Sequence, residues 1–157
     1  MKGHTIGGHP NFVVMLAIAA IVTAALAAAP VAAAPTATTA TILTAINQAR
    51  SDRGVPPVTV DPGMAPAVQA WTDHMAATRL HHSPSYAERT AVAPVGWRWI
   101  GEILGRGPSV EWLMAAILGS PTHASILLDP RHDRVAIGVA VAPNGRIIFA
   151  ARFVDAP

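Results

Sequence analysis

His123 is the side chain whose place in the sequence most directly suggests chemistry. It follows Ser120 and Pro121, which together predict the start of a short helix. Serine is a favoured N-cap residue, and proline suits the first helical position because its missing N–H has no partner there. A histidine held near a helix start can bind a metal or carry a proton. The alternative is a histidine in a capping turn with no chemical role.

The sequence offers few nucleophiles for a hydrolase. The chain has no cysteine and no Gly-x-Ser-x-Gly motif. Ser83 is adjacent to His82 and too close in sequence to form an ordinary triad pair with it. Water activated by a bound metal ion is therefore the one hydrolytic route that we consider.

The first 34 residues have the layout of a secretory signal peptide. Lys2 precedes an apolar run from Phe12 to Ala29 that only Thr23 interrupts, and small residues follow it. We predict a signal peptide over residues 1–34, a flexible lead-in over 35–40 and one domain over 41–157. An uncleaved N-terminal anchor is the alternative, since the run is close to the minimum length of a membrane span.

The composition of the mature part excludes an electrostatic nucleic-acid site. Of the 11 basic residues only Lys2 is a lysine, so the mature part has ten arginines and nine acidic residues and is nearly neutral. The arginines are scattered along the sequence and form no basic cluster. About 120 residues suffice for one domain with a single core. We expect a monomer without disulfides that is secreted or held in the cell envelope.

Helical periodicity dominates the first half of this domain, and strand alternation dominates its end. Residues 94–106, which include Trp97 and Trp99, follow neither pattern, and the two tryptophans could line a groove or fill the core. The order predicts an α+β fold with helices first and a closing antiparallel β-hairpin. The predicted elements are a helix over 41–53, a short strand over 58–60, a helix from Asp61 to about Leu80, a loop over 81–94, a helix over 110–118 capped by Ser109, the short helix after Pro121, and strands over 135–141 and 146–154 joined by Pro143-Asn144-Gly145.

Six motifs in this order resemble the bacterial CAP superfamily, the secreted domains related to cysteine-rich secretory proteins, venom antigens and plant pathogenesis-related proteins. The resemblance covers Thr41 to Val154. Its motifs are the opening helix with Pro57-Val-Thr-Val-Asp-Pro, His82-Ser-Pro, Gly101-Glu102, Ser120-Pro-Thr-His123 with Ile126-Leu127, Val135-Ala-Ile-Gly-Val-Ala, and the Asn144-Gly145 hairpin with its Phe153-ended strand.

The resemblance implies an α-β-α sandwich, an exported location and a shallow cleft lined by histidines and glutamates. Carried over residue by residue, it indicates His82, Glu102 and His123 as cleft residues and as candidate ligands of zinc or another divalent metal ion. Two imidazoles and a carboxylate form a plausible open zinc site. A hydrogen-bonded polar cluster without metal is the alternative. Other family members bind sterols or fatty acids in separate grooves.

Several positions depart from the family pattern. Ile103 replaces an asparagine, Ile117 a tryptophan and Thr122 a glycine, while Ala124 replaces an arginine. The last strand reads Phe149-Ala-Ala-Arg152 where the family has an aromatic residue and a glutamine. The fold motifs are thus better preserved than the site motifs. For the other histidines, we predict His74 at a core edge, His81 exposed to solvent and His132 on the surface.

Three functions remain open at this point. The first is an exported binding module for a lipid, a cell-envelope component or a protein partner. The second is a metal-dependent hydrolase that uses His82, Glu102 and His123, with Glu102 as the base. The third is a structural envelope protein held by an uncleaved N-terminal segment.

Overall fold

The computed structural model describes residues 37–155, so the predicted signal peptide lies outside the described part of the chain. In chain order its elements are helix α1 (Thr39–Ser51), strand β1 (Thr59–Val60), helices α2 (Ala65–Ala77) and α3 (Tyr86–Thr90), strand β2 (Ile100–Gly107), helices α4 (Val110–Leu118) and α5 (Pro121–Leu127), and strands β3 (Arg134–Val141) and β4 (Ile147–Val154).

A four-stranded sheet in the order β1-β3-β4-β2 separates two helical layers. Strand β1 is parallel to β3, and the other two pairings are antiparallel. Helices α1, α4 and α5 pack on one face and α2 on the other. The predicted α-β-α sandwich and the closing β3–β4 hairpin are confirmed.

Strand β4 lies between two other strands and is buried along its whole length. Its side chains alternate between the two cores, as the sequence predicts for a period of two. Phe149 and Phe153 enter the core under α1, α4 and α5, whereas Ile148 and Val154 enter the core under α2. This alternation also places Arg152 on the α2 face of the sheet.

Helix α2 approaches β3 closely at Gly138. A Cβ atom at this position would lie 2.6 Å from the carbonyl oxygen of Val68 and 2.9 Å from the Cα of Gln69. Because both atoms belong to the backbone of α2, only glycine allows the helix to pack this near the sheet.

The structure corrects the predicted ends of the first two helices. Helix α1 begins at Thr39, earlier than predicted, because Thr38 and Thr41 form a capping box that draws the lead-in into the helix. Helix α2 spans only Ala65–Ala77 instead of the predicted Asp61 to Leu80. The Asp61 carboxylate accepts hydrogen bonds from the N–H groups of Gly63 and Met64 and so forms a turn ahead of the helix.

Two elements lie where no element was predicted. The predicted loop over 81–94 contains the short helix α3, capped by Ser85, so the loop prediction is wrong over Tyr86–Thr90. The unassigned segment contains strand β2. Ser109 caps α4 as predicted, whereas Ser120 precedes α5 without a side-chain capping bond.

Arg50 fastens the end of α1 to the region after α5. Its side chain is fully buried, and its guanidinium donates hydrogen bonds to the carbonyl oxygens of Pro56, Leu127, Asp129 and His132 at 2.6–3.2 Å. The contacts with Leu127 and His132 are buried, and without Arg50 each of these two carbonyl oxygens would lack a partner, at a cost of about 1–3 kcal/mol.

We expect Arg50→Met to lower the free energy of unfolding by about 2–6 kcal/mol, because it leaves the buried carbonyl oxygens of Leu127 and His132 unpaired. Arg53→Met is the matched control, in the turn that follows the same helix. The Arg53 side chain is exposed and bonds only to the Ala49 carbonyl oxygen of α1, so this change should cost less than about 0.5 kcal/mol. Urea denaturation of both variants measures the difference, and equal costs would contradict the role of Arg50.

Candidate functional site

Glu102 is the centre of a polar cluster at the edge of the sheet. Its Oε1 accepts hydrogen bonds from His82 Nδ1 at 2.9 Å and from the Ser83 N–H at 3.3 Å. Its Oε2 accepts from Ser83 Oγ at 3.0 Å and from an Arg152 terminal nitrogen at 2.8 Å. Both carboxylate oxygens therefore carry two donors each.

Arg152 is the functional neighbour that the motifs did not indicate. It lies directly opposite Glu102 in the β2–β4 pairing, and the same terminal nitrogen donates to Ser83 Oγ at 2.9 Å. Its other terminal nitrogen donates to the Arg89 carbonyl oxygen at 3.3 Å. A sequence signal for this pair did exist, because an arginine inside an apolar strand needs a buried carboxylate. Glu102 is the carboxylate that β2 supplies.

The cluster keeps Glu102 ionised. Burial alone would raise the pKa of its carboxyl group, but the hydrogen bonds from Arg152, His82 and Ser83 and the Arg152 charge outweigh burial and lower the pKa below its ordinary value. Ser83 Oγ donates to Glu102 and accepts from Arg152, so it is not aligned with His82 as a nucleophile. The arrangement joins the His82–Ser83 segment to β2 and β4.

The two predicted histidines line neighbouring cavities along β2. The His82 side chain is 57% exposed and lines a cavity of about 460 Å³ with Tyr86, Arg89 and Glu102. His123 is half-buried and lines a second cavity, of about 290 Å³, beside Trp112.

The structure thus brings His82 and Glu102 into contact and places His123 farther along the groove. Within residues 37–155, no group of three or more histidine, aspartate or glutamate side chains is arranged to hold a metal ion. The guanidinium of Arg152 already supplies a positive charge to Glu102. The zinc site of His82, Glu102 and His123 stays a prediction.

Two of the remaining histidines differ from their predicted surroundings. His132 is buried instead of lying on the surface, because Arg50 binds its carbonyl oxygen and pulls the turn inward. Burial lowers the pKa of His132. His81 is half-buried against Trp71, with ring centroids 4.9 Å apart, and is not freely exposed. His74 stacks on Trp71 from the exposed side, as expected for a core edge.

The two tryptophans before β2 have different roles. Trp97 is half-buried and packs against the core under α2. Trp99 is exposed, and the Arg131 guanidinium lies 3.8 Å from its ring centroid. No local pattern predicts this cation–π contact, since Trp99 precedes β2 and Arg131 lies in the turn before β3.

A separate apolar groove of about 450 Å³ lies between α1 and α4. The buried side chains of Ala49 and Met114 form its floor, and Ala45 lies half-buried in its wall. Asp52 and Glu111 are exposed at its rim. Position and charge separate this groove from the cluster around Glu102, which lies on the other face of the sheet.

None of the helices within residues 37–155 combines the length and the hydropathy that a membrane span requires.

Comparison with protein families gives one match. The sequence model described as "CAP: Cysteine-rich secretory protein family" matches residues 43–153. A comparison with curated protein sequences finds no significant match.

Solved structures share the fold at low sequence identity. An outer surface protein from Borrelia burgdorferi is similar with a TM-score of 0.66 and 16% identity over 75% of this chain and 92% of that one. An extracellular protein from Bacillus anthracis that contains an SCP domain has a TM-score of 0.61 and 20% identity over 74% of this chain, which spans 40% of that protein. Venom allergen-like protein 4 from Schistosoma mansoni has a TM-score of 0.55 and 13% identity over 74% of this chain and 88% of that one.

The Glu102–Arg152 pair generates a prediction for stability. We expect Arg152→Met to lower the free energy of unfolding by about 3–5 kcal/mol, because it leaves the buried carboxylate without its countercharge. Glu102→Leu should lower the free energy of unfolding by a similar amount, because it leaves the buried Arg152 guanidinium without its countercharge.

The double variant Glu102→Leu/Arg152→Met is the control. It should cost clearly less than the sum of the two single changes, since no unpaired charge remains. Denaturation of the four proteins measures the coupling, and strictly additive costs would show that the pair does not act as a unit.

Proposed function

Since the chain belongs to the CAP family of cysteine-rich secretory proteins, we propose that it is an exported binding module that holds an apolar chain between α1 and α4. The groove of about 450 Å³ carries this proposal. Its volume lies within the range of about 300–1,000 Å³ that is usual for small-molecule sites. Its floor is apolar and belongs to the core, so a ligand would extend the core outward.

The charge at the rim of the groove restricts which head group a ligand can carry. Asp52 and Glu111 are carboxylates, and Gln48 donates to Asp52 Oδ1 at 2.7 Å. Hydrogen bonds from its own backbone N–H and from the Ser109 hydroxyl lower the pKa of Glu111, so its carboxyl group stays ionised. A ligand with a carboxylate head would meet two negative charges. The rim therefore favours a single-chain amphiphile whose head group is uncharged or cationic.

Export is part of the proposal. The layout of residues 1–34 and the extracellular or outer-surface nature of two proteins of the same fold support it. Sequencing the N-terminus of protein recovered from culture medium tests export, with a start between Ala32 and Ala40 expected. Protein found only in the membrane fraction with residue 1 intact would favour the anchored envelope protein instead.

The metal-dependent hydrolase is the less favoured function. Glu102 would have to act as a base while both its oxygens accept hydrogen bonds. Calorimetric titration of the purified protein with zinc tests the underlying site. Stoichiometric binding that is lost in both His82→Ala and His123→Ala would establish it, and no binding by the folded protein would exclude it.

We predict an order of affinity for three probes that share a twelve-carbon chain: dodecylammonium and monolauroylglycerol should bind more tightly than laurate. The acidic rim repels the laurate head group, and a surface charge contact contributes about 0.2–1 kcal/mol, so the difference should fall as salt is added. Calorimetry below the critical micelle concentration of each probe measures the three affinities.

Ala45→Phe should abolish binding because it fills the groove. Ala115→Phe is the matched control, since Ala115 is exposed on α4 and does not line the groove. Equal binding by both variants, or tightest binding of laurate, would contradict the proposal.

A further inference from the structure

Strand β2 leaves a row of backbone hydrogen-bonding groups unused. The Asp155 N–H donates to the Trp99 carbonyl oxygen, and the register continues from there with Ile100 opposite Val154. The odd-numbered residues of β2 therefore bond to β4, and the even-numbered ones point their N–H and C=O groups away from the sheet. These are Ile100, Glu102, Leu104 and Arg106. No backbone or side-chain partner from residues 37–155 bonds to any of these outward groups.

On the opposite side of the sheet, outward backbone groups do have a partner. Beyond the short pairing of β3 with β1, the side chain of Gln69 binds the backbone of β3. The Gln69 side chain donates to the Val139 carbonyl oxygen and accepts from the Val139 N–H, both at 3.0 Å. An open edge strand is a template for pairing with another chain, and folded proteins usually block it. At β2 the described chain provides no such block.

Strand β2 forms the floor of a groove with two walls. The cavities of about 460 and 290 Å³ follow one another along it, the first beside Ile100–Glu102 and the second beside Leu104–Arg106. One wall comes from the segment before and within α3, and the other comes from α4 and α5. The wall residues are Leu80, His82 and Tyr86 on one side and Trp112, His123 and Ile126 on the other.

The shape of the groove and its pattern of backbone donors and acceptors indicate which kind of molecule can bind there. The walls leave room for a thin chain and hinder the edge of a second folded domain. Outward groups on every second residue, about 6.6–6.8 Å apart, match the repeat of an extended polypeptide. Neither an acyl chain nor a flat aromatic ligand carries that repeat.

The charge of the groove is positive. Arg89 and Arg106 line its two ends, and Arg106 makes no ion pair with a described residue. Glu102 is the carboxylate of the lining, and Arg152 neutralises it. In the second cavity, Trp112 and Leu80 are 50% and 38% exposed and offer an apolar surface.

From these observations we infer that β2 binds an extended acidic peptide by strand addition. The backbone of the peptide pairs with Ile100 to Arg106. Its acidic side chains face Arg89 and Arg106, and an apolar side chain enters the cavity between Leu80 and Trp112. Strand addition of this kind derives affinity from main-chain hydrogen bonds and specificity from alternate side chains. The site is independent of the groove between α1 and α4.

The test uses pools of acetylated and amidated peptides of about eight residues, the length of β2. Every second position in a peptide is aspartate or glutamate, and the remaining positions are randomised over all amino acids. Backbone amide NMR of the purified protein reports where they bind. We expect the outward amides of Ile100, Glu102, Leu104 and Arg106 to exchange fast in the free protein and to become protected when a binding pool is added. The amides of Gly101, Ile103, Gly105 and Gly107 should be protected throughout.

A pair of N-methylated peptides provides the sharpest control. In one set, N-methylation removes the peptide N–H donors that face β2, and this set should lose binding. In the other set, it removes the N–H donors that face solvent, and this set should keep binding. Equal effects of the two sets would overturn strand addition.

Arg106→Pro and Arg106→Gln separate hydrogen bonding from charge. Proline is tolerated on an edge strand where its nitrogen faces outward, so the variant should fold. It should weaken peptide binding by about tenfold beyond Arg106→Gln, because it also removes one hydrogen bond. Arg106→Gln alone should weaken binding by about threefold.

Three further results would overturn the inference. The first is that no pool perturbs the four outward amides at a peptide concentration of about 1 mM, which would detect dissociation constants up to that order. The second is that these amides are already protected in the free monomer. The third is a dimer in sedimentation experiments that protects the same amides without peptide, which would assign the edge to a second copy of the chain.

Discussion

The buried ion pair between Glu102 and Arg152 determines the shape of the cleft. Burying two charges is costly, and the cost is offset only when every oxygen and most N–H groups find partners. Ser83 and His82 complete this set from a segment that has no regular structure of its own. The ion pair therefore fixes that segment against the sheet edge. One wall of the groove along β2 therefore depends on this cluster, in which Arg152 Nε is a buried donor without a partner among the described residues.

The sandwich separates two binding surfaces. The apolar groove belongs to the layer of α1 and α4, which Arg50 fastens to the rest of the domain through four carbonyl oxygens. The polar cluster lies on the α2 face of the sheet, and the open strand edge runs along β2 between that face and helices α4 and α5. A ligand in one surface contacts no residue of the other, so each can change without the other. This explains how a fold whose core is preserved can carry an altered cleft residue such as Arg152.

The sequence predicts the parts of the fold that rest on local patterns, and it misses those that rest on distant contacts. Periodicity locates α1, α4 and the hairpin at Asn144-Gly145, and resemblance supplies the sandwich. The sequence does not predict strand β2, because three glycines interrupt the alternation of apolar and polar residues and because its polar residues are buried or lie at the sheet edge. His82 and Glu102 follow from resemblance, but the partner of Glu102 lies 50 residues away in β4. His132 is buried through a long-range bond to Arg50, which no local pattern reveals.

Arg152 holds Glu102 ionised, and the pair fixes the His82–Ser83 segment to the sheet edge. An NMR titration of the Glu102 side-chain carboxyl carbon tests this role of Arg152 most directly. A lowered pKa means that the carboxylate stabilises the fold fully above about pH 4.3, the ordinary glutamate value, and that this contribution is lost as the pH falls through the lowered pKa. We expect a titration midpoint below the ordinary value, and we expect it to move upward in Arg152→Gln. A midpoint at or above the ordinary value in the unmodified protein would contradict this role of Arg152 and would make Glu102 a free acid or base.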